Sequence, residues 1–273
     1  MAYLIKPEKP RMKRVKKVVK ETESFTTIFF DDEGCKRAKP GQFVMVWLPS
    51  VGEVPMSLSN IDVNGLCSIT VKPVGPTTTR LCEIKENELI GIRGPYGKGF
   101  TLASGRVLLV GGGVGVAALL PLAQHLVKND SLVTFIIAAK SSKELIEPTH
   151  IKELLCPPHY LLIATEDGSR GVKGLATDLL ARVLEQEEYS MVYTCGPEKM
   201  MRKVFETAER RRIKIQASLE RYIKCGLGIC GSCCVGKYLL CKDGPVFKSE
   251  QLKEVLDEFG KKKRDGSGRF IEL

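Results

Sequence analysis

The chain has 273 residues, of which 43% are hydrophobic, and a formal net charge of +10. This length allows two domains of ordinary size and a small additional module, and no apolar run is long enough to cross a bilayer. The first residues lack the apolar core and cleavage site of a signal peptide, so we expect a cytoplasmic protein without a membrane span. Without an export signal, the ten cysteines do not indicate a disulfide framework.

The positive charge is concentrated in two runs, Lys9–Lys20 and Lys261–Arg264. Such runs are compatible with a non-enzymatic module that binds nucleic acid and holds zinc, which we keep as an alternative. Nucleic-acid binding surfaces interleave aromatic residues with the basic ones, and these runs contain none. We therefore expect a solvated lysine-rich surface and no nucleic-acid partner.

Residues 1–102 are expected to form a domain of short strands. Its strand-like segments are rich in β-branched and aromatic residues and are separated by Pro, Gly and Asp. They are residues 12–30, 42–48, 67–74 and 88–93. Short strands at this spacing predict a small antiparallel β-barrel.

In residues 103–217 the pattern changes to strands that alternate with helices. Strands are predicted at residues 106–110, 132–139, 160–164 and 191–194, and helices up to residue 128, at 174–184 and at 197–211. This alternation predicts a parallel sheet with right-handed crossovers. Residues 218–273 are short, rich in Cys and Gly, and end in a charged tail. The predicted fold class is therefore β plus α/β, with an antiparallel barrel, a parallel-sheet domain and a small C-terminal module.

Two turns of the α/β domain are candidates for dinucleotide binding. Gly113, Gly115 and Ala118 satisfy the pattern G-x-G-x-x-A between a strand and a helix, where N–H groups and the helix dipole favour a pyrophosphate. Cys195, Gly196 and Pro197 follow a later strand at the edge of the sheet where ligands bind, and the cysteine there is placed to pack against a nicotinamide. The alternatives are tight packing at the first turn and a small residue in a tight turn at the second. Lys140 and Lys143 leave NAD versus NADP open.

The cysteines at 225, 230, 233 and 241 follow the spacing C-x4-C-x2-C-x7-C. The first three match the loop of plant-type [2Fe–2S] proteins, and the glycines at 226, 228 and 231 allow the close backbone approach that such a loop requires. The fourth cysteine follows unusually soon, and Cys234 is a spare thiol that is able to exchange with Cys233. A structural zinc site is the alternative, although zinc sites favour two C-x2-C pairs and only one is present.

In this order, the glycine loop, the Cys195 turn and the cysteine loop make the chain resemble the ferredoxin-reductase family over nearly its whole length. Within that family, the chain is similar to the electron transfer subunits of dihydroorotate dehydrogenase B. The resembling segments are Leu240–Phe247 (LCKDGPVF), Phe259–Arg269 (FGKKKRDGSGR) and Thr165–Gly171 (TEDGSRG).

The resemblance implies an FAD-binding barrel, an NAD-binding domain and a [2Fe–2S] module on Cys225, Cys230, Cys233 and Cys241. It places the flavin on Val54–Ser59, which matches an R-x-Y-S-like strand with valine at the arginine position, and on the phosphate loop Val74–Thr79. The implied flavin contacts are Pro55, Met56, Ser57, Leu58, Val71, Lys72, Gly75, Thr77, Thr78 and Thr79. The implied NAD contacts are Gly113, Gly115, Cys195, Gly196 and Pro197.

The resemblance also implies an oxidoreductase subunit of pyrimidine biosynthesis. A separate FMN-containing catalytic subunit would oxidise dihydroorotate, and electrons would pass through the cluster and FAD of this chain to NAD+. The expected assembly is a heterotetramer of two plus two subunits. Similar subunits serve soluble hydrogenases and ferredoxin:NADP reductases, and a reductase of that kind is the alternative function.

Overall fold

The computed structural model describes residues 9–147 and 149–273. The segment Met1–Glu8, which includes most of the region examined for a signal peptide, lies outside the described residues. Within the described ranges, no helix is both long and apolar enough to cross a bilayer.

The first domain is a closed barrel of six strands, and it confirms the predicted antiparallel barrel. Its strands are β1 (Arg11–Lys20), β2 (Thr26–Phe30), β3 (Phe43–Leu48), β4 (Gly52–Val63), β5 (Leu66–Val71) and β6 (Leu89–Tyr96). They pair antiparallel in the order β1-β2-β5-β4-β3-β6. Two short helices accompany them, α1 (Glu33–Lys36) and α2 (Pro76–Cys82). The interior is filled by β-branched and aromatic side chains such as Phe30, Val46 and Ile69, which are fully buried.

The second part alternates strands and helices, as predicted. Its strands are β7 (Arg106–Gly112), β8 (Leu132–Ala139), β9 (Tyr160–Thr165), β10 (Val172–Lys173), β11 (Met191–Cys195) and β12 (Lys214–Ser218). Its helices are α3 (Gly115–Lys128), α4 (Thr149–Leu154), α5 (Ala176–Gln186) and α6 (Glu198–Arg210), with a 3-10 turn at Ser142–Glu144. Strands β7, β8 and β11 are almost entirely apolar because helices cover both faces of a parallel sheet.

The C-terminal part consists of short elements around the cysteine loop. They are β13 (Cys234–Val235), β14 (Tyr238–Leu239), α7 (Leu240–Asp243), β15 (Val246–Lys248), α8 (Ser249–Glu254), β16 (Lys262–Arg264) and β17 (Phe270–Glu272). Strands β13 and β14 form one hairpin, and β16 and β17 form another.

The sheet of the second domain has seven strands in the order β10-β9-β8-β7-β11-β12-β15. All of its pairs are parallel except β12–β15, because β15 returns from the C-terminal part and adds an antiparallel edge. Phe247 and Phe259 belong to the same buried cluster as Leu180 and Val204 of the α/β domain. The domain boundaries at residues 102 and 217 remain a prediction.

The chain reverses its direction of travel across the sheet between β7 and β11. From β7 it proceeds to β8 and β9 on one side, and it later adds β11 and β12 on the other side. Such a reversal leaves a crevice at the carboxyl ends of the two adjacent strands, which is where open α/β sheets bind ligands. The Gly113 and Cys195 turns both lie at this crevice.

Candidate functional site

The cysteine loop is shaped by glycines and by backbone N–H groups that point at sulfur. Gly226, Gly228 and Gly231 have φ of 75°, 75° and 70°, a region that other residues rarely adopt. The N–H of Leu227 donates to Cys225 Sγ at 3.3 Å, and the N–H of Gly228 donates to Cys241 Sγ at 3.2 Å. Such donors stabilise thiolates and bound sulfur, so the loop fits an iron–sulfur cluster.

A hairpin explains the short spacing before the fourth cysteine. Strands β13 and β14 pair Cys234 with Leu239, and Gly236, with φ of 52°, lies in the turn between them. This tight turn brings the chain back beside Cys233, where the N–H of Leu240 donates to the Cys233 carbonyl at 3.1 Å. The N–H of Cys241 then lies 3.5 Å from Cys233 Sγ. The seven intervening residues suffice because they form a two-stranded turn.

Cys230 hydrogen-bonds with Cys225 and Cys241 hydrogen-bonds with Cys233, so the four thiols are neighbours in two pairs. Burial raises the pKa of Cys230, but hydrogen bonds with Ser232 and Cys225 outweigh it and lower the pKa to about 6. Burial raises the pKa of Cys241 to about 12, and the hydrogen bond with Cys233 adds to this effect.

The pairing of the thiols matches the ligand arrangement of a binuclear cluster. A [2Fe–2S] cluster takes two thiolates at each iron, so the paired arrangement fits it.

The Cys234 thiol bonds to a main-chain oxygen of the loop. It donates to the carbonyl of Gly231 at 2.7 Å, and Cys234 is half-buried, whereas Cys233 is buried in the hydrophobic core. Cys233 lies in a turn and Cys234 begins β13, so the two thiols do not occupy equivalent positions. This placement favours Cys233 as the ligand, and the ligand set remains a prediction.

The strand predicted to bind flavin has an unusual pattern of burial. Residues 52–57 of β4 are all half-buried, whereas the other barrel strands contain fully buried residues along this length. Val54, Met56 and Leu58 pack against the barrel core, so Pro55 and Ser57 occupy the other face of the strand. An open strand of this kind fits a flat cofactor laid along it.

The phosphate loop lies beside this strand. A β-carbon at Gly52 would stand 2.7 Å from Thr77 Oγ1, so the start of β4, two residues before the predicted flavin strand, lies next to the loop. Gly75 and Thr77 are half-buried and Thr79 is exposed. The Thr78 hydroxyl is buried and accepts from the N–H groups of Val74 and Gly75, which makes it part of the loop's own framework.

The remaining predicted flavin residues differ in which of their atoms are available to a ligand. The side chains of Leu58 and Val71 lie in the barrel core, so only their main-chain atoms are available to a ligand. The Lys72 ammonium lies 5.5 Å from the centre of the Phe25 ring and 3.8 Å from Glu144 of the α/β domain. Lys72 therefore connects the barrel to the 3-10 turn.

The two glycine turns predicted to bind NAD are packed against each other. A β-carbon at Gly115 would stand 2.4 Å from the Cys195 carbonyl, and one at Gly196 would stand 2.8 Å from the Gly112 oxygen. A β-carbon at Gly113, whose φ is 53°, would meet no described atom within 4 Å. Gly113 thus faces open space at the end of β7, which fits a pyrophosphate, while Gly115 and Gly196 are required for packing. Pro197 directly precedes α6.

Burial raises the pKa of Cys195 to about 12, and the Glu220 carboxylate adds to this effect while Ser218 opposes it. Cys195 pairs with Gly111 on one side and with Ser218 on the other, so it lies at the centre of the crevice. A neutral thiol at this position is suited to contact a ring of the cofactor.

Sequence reasoning missed two groups of charged residues around the cysteine loop. Arg93 and Glu53, on barrel strands, form an ion pair, and Arg93 also donates to the carbonyl of Cys225. Arg221 and Glu198 form a buried ion pair, and Glu198 also accepts from the N–H of Gly260 at 3.1 Å. Nothing in the sequence marks these four residues, because each partner lies on a different part of the chain.

Two family matches cover regions of the chain that these sites occupy. Residues 220–253 match the iron–sulfur cluster binding domain of dihydroorotate dehydrogenase B. Residues 109–206 match the oxidoreductase NAD-binding domain.

Three archaeal relatives carry the name dihydroorotate dehydrogenase B (NAD+), electron transfer subunit. The relative from Methanocaldococcus jannaschii is 41% identical over 97% of this chain and 99% of its own length. The relative from Pyrococcus horikoshii is 45% identical over 86% of this chain and 88% of its own. The relative from Thermoplasma volcanium is 42% identical over 95% of this chain and 97% of its own.

Solved structures share the fold. A structure described as an NADH-dependent reduced ferredoxin-NADP oxidoreductase has a TM-score of 0.81 and 31% identity, with 90% of this chain and 92% of that chain covered. The FAD/NAD-binding domain of nitric oxide dioxygenase from Vibrio cholerae has a TM-score of 0.67 at 21% identity, with 75% and 94% covered, and this likeness shows the fold alone.

Proposed function

The chain belongs to the electron transfer subunits of dihydroorotate dehydrogenase B, and we propose that it carries electrons from dihydroorotate oxidation on a partner subunit to NAD+. The observation that carries this proposal is the position of the cysteine loop. On one side the loop lies beside barrel strands, where a β-carbon at Gly226 would stand 3.1 Å from the Tyr96 ring and 3.3 Å from Met45 Cγ. On the other side it exposes Ile229 and Cys230. A site with one face toward the flavin domain and one toward solvent suits passage of electrons to another subunit.

Three groups of residues would hold the cofactors. Cys225, Cys230, Cys233 and Cys241 would hold the [2Fe–2S] cluster; strand residues 54–59 and loop residues 74–79 would hold FAD; and the Gly113 and Cys195 turns would hold NAD. When bound, FAD exchanges hydride with NAD and single electrons with the cluster. The protein supplies their relative positions: the barrel presents the open strand, the sheet crevice presents the two turns, and the cysteine loop lies against the barrel.

The overall reaction balances across two subunits. Oxidation of dihydroorotate to orotate releases two electrons and two protons, and NAD+ takes both electrons with one proton as hydride while the other proton is released. We assign the proton chemistry on dihydroorotate to the partner, because the motifs of this chain all belong to electron carriers.

The partner is proposed to be an FMN-containing catalytic subunit that docks over the cysteine loop, in an assembly of two plus two subunits. Three apolar side chains are exposed near this loop, at Tyr222, Leu227 and Ile229, and Ile229 has 64% of its surface exposed. Exposed apolar residues in one region are typical of protein–protein contact. The β16–β17 hairpin extends the region, because Gly266 lies against the Tyr222 ring.

The test is to purify the chain alone and together with the proteins it binds in its own cells. Alone, it should show flavin and iron–sulfur absorption and should oxidise NADH with an artificial acceptor, but it should not oxidise dihydroorotate. With its partner, dihydroorotate should reduce NAD+. Dihydroorotate turnover by the single chain would contradict the proposal, and so would a colourless protein.

A second candidate function is a flavin–iron–sulfur reductase subunit of another complex. It is favoured by the likeness to the NADH-dependent reduced ferredoxin-NADP oxidoreductase, with 31% identity over 90% of this chain. The partner that co-purifies distinguishes the two functions, since a ferredoxin-reducing subunit supports the second and an FMN protein that oxidises dihydroorotate supports the first.

A further inference from the structure

Arg93 connects the first cysteine of the loop to the strand predicted to hold the flavin. Its Nε donates to Glu53 Oε1 at 2.8 Å and its Nη2 donates to Glu53 Oε2 at 2.6 Å. Its Nη1 donates to the main-chain oxygen of Cys225 at 3.2 Å and to the Tyr96 hydroxyl at 3.2 Å. One guanidinium therefore joins β4, β6 and the cysteine loop.

The cysteine loop lies close to the barrel at this contact. A β-carbon at Gly226 would stand 3.1 Å from the Tyr96 ring and 3.3 Å from Met45 Cγ. Met45 pairs with Pro55 of β4 on one side and with Arg93 of β6 on the other. The loop thus lies directly on the strand that neighbours the predicted flavin strand, and Met45 separates the two.

The Arg93 contact is largely shielded from water. The side chain of Arg93 has 12% of its surface exposed and that of Glu53 has 23%. A bidentate guanidinium–carboxylate pair fixes the plane of the arginine, and the remaining nitrogen is then directed at a fixed acceptor. A lysine offers a single ammonium and cannot contact both carboxylate oxygens and a carbonyl in this geometry.

We propose that Arg93, oriented by Glu53, is a positioning residue that sets the separation between the iron–sulfur cluster and the flavin. The proposal rests on the proposed function, since it requires both cofactors. Arg93 acts through the Cys225 carbonyl and contacts neither the substrate nor a reacting atom. Because electron transfer slows steeply as two carriers separate, a small outward movement of the loop reduces the rate at which the cluster receives an electron.

The chain offers a matched control in the same barrel. Arg11 forms a bidentate pair with Asp32, at 2.9 and 3.0 Å, and also donates to the main-chain oxygen of Gly94 at 2.7 Å. Arg11 and Arg93 therefore make the same kinds of bonds, but the main-chain oxygen that Arg11 contacts belongs to barrel strand β6, whereas the one that Arg93 contacts belongs to the cysteine loop. An Arg11→Lys variant weakens the barrel in a comparable way and leaves the Cys225 contact in place.

The experiment compares the wild-type chain with Arg93→Lys, Arg11→Lys and the double variant Arg93→Met/Glu53→Gln. The double variant removes both charges of the pair, so that no carboxylate is left unpaired beside the cluster. NADH is mixed with each oxidised protein, and flavin bleaching and the electron paramagnetic resonance signal of the reduced cluster are followed separately. Each NADH transfers its two electrons and one hydrogen to the flavin as hydride and leaves as NAD+; one electron then passes from the flavin to the cluster and the other stays on the flavin.

In both Arg93 variants we expect flavin reduction at the wild-type rate and cluster reduction slowed at least about tenfold. Arg11→Lys should leave both rates unchanged. Cluster reduction within about twofold of wild type in both Arg93 variants overturns the proposal.

A second measurement does not depend on activity. Hydrogen exchange of the Gly226 and Leu227 amides should become faster in Arg93→Lys and remain at the wild-type rate in Arg11→Lys. Unchanged exchange in Arg93→Lys overturns the proposal even if the wild-type chain holds no flavin. A wild-type chain without flavin or cluster absorption instead overturns the proposed function, so the two failures are distinguishable.

Discussion

Gly115 lies against the main chain of Cys195, where a β-carbon on Gly115 would stand 2.4 Å from both the carbonyl carbon and the carbonyl oxygen. The two residues begin the α3 helix and end the β11 strand, so this contact joins the two turns predicted to bind NAD. The crevice therefore depends on a glycine for its shape as well as for access to a ligand.

This contact gives different expectations for two glycines of one motif. Gly115→Ala places a methyl group against the main chain of Cys195, which cannot shift without disturbing the sheet. Overpacking of this kind costs about 1–3 kcal/mol. Gly113→Ala meets no described atom within 4 Å, so its cost is limited to the φ of 53°, about 1 kcal/mol. Thermal unfolding should show the lower midpoint for Gly115→Ala.

For the KM for NADH, we expect the larger change in Gly113→Ala. Gly113→Ala should raise the KM for NADH in the artificial-acceptor assay, because its methyl group projects into the space predicted for the pyrophosphate. The same midpoint for both variants, with an unchanged KM in Gly113→Ala, would be incompatible with these roles.

The ligand set of the cluster is tested by two serine variants. Cys241→Ser should lose most of the bound iron and the iron–sulfur absorption, because Cys241 lies beside Cys233 and accepts from the N–H of Gly228. Cys234→Ser should retain both, because its thiol bonds to the carbonyl of Gly231 instead. The measurement is iron per chain together with the visible spectrum, and an iron-free Cys234→Ser variant would exclude this assignment.

The buried ion pair between Arg221 and Glu198 is expected to be important for stability. Arg221 bonds to both Glu198 oxygens, at 2.5 and 3.0 Å, and its side chain has 1% of its surface exposed. Glu198→Gln leaves a buried charge without its partner, which costs about 3–5 kcal/mol. Urea unfolding should show this loss, whereas Glu254→Gln, at the exposed pair with Lys237, should cause no measurable change.

Asp32 should make the barrel sensitive to acid. Burial raises the pKa of this carboxyl, but hydrogen bonds from Arg11 and from the N–H of Cys35 outweigh it and hold the pKa well below the ordinary value of 3.8. The carboxylate therefore stabilises the folded state above about pH 4, and this contribution is lost as the pH falls toward the lowered pKa.

The pH dependence of Asp32→Asn provides the measurement. Wild type should be the more stable protein near neutral pH, and the difference in unfolding free energy should shrink steadily below about pH 4. A difference that stays constant over this acid range would contradict the role of the charge.

Regular periodicity allowed much of the fold to be predicted from sequence. The strand at residues 132–139 and the helix that ends at Lys128 lie where they were predicted, because long apolar segments between glycine turns have few alternatives. The sequence does not predict strand β4 over its full length from Gly52 to Val63, because its first half contains Pro55, which strands seldom contain, and has no fully buried residue. Strand β12 was missed because only five residues, KIQAS, form it.

The candidate site can be predicted where its residues lie close together in sequence, and it cannot where its contacts join distant parts of the chain. The cysteine spacing identified the loop, but the hairpin that brings Cys241 to Cys233 is visible only in the structure. The charged partners Arg93 and Glu53 are 40 residues apart, and Arg93 meets the loop at the main-chain oxygen of Cys225, a contact that no motif encodes. Leu58 and Val71 were named from a resemblance, and their side chains belong to the barrel interior.

Strand β15 limits where this enzyme can be truncated or joined to parts of another protein. Because it completes the sheet beside β12, a chain truncated at the predicted boundary near residue 217 would have an open, unpaired edge and a hole where Phe247 is buried. The C-terminal cysteine module therefore cannot be removed or transferred as an independent unit. A hybrid that grafts another cysteine loop onto this reductase needs to retain residues 246–259 of the host, and its exchange points should fall within the loop itself.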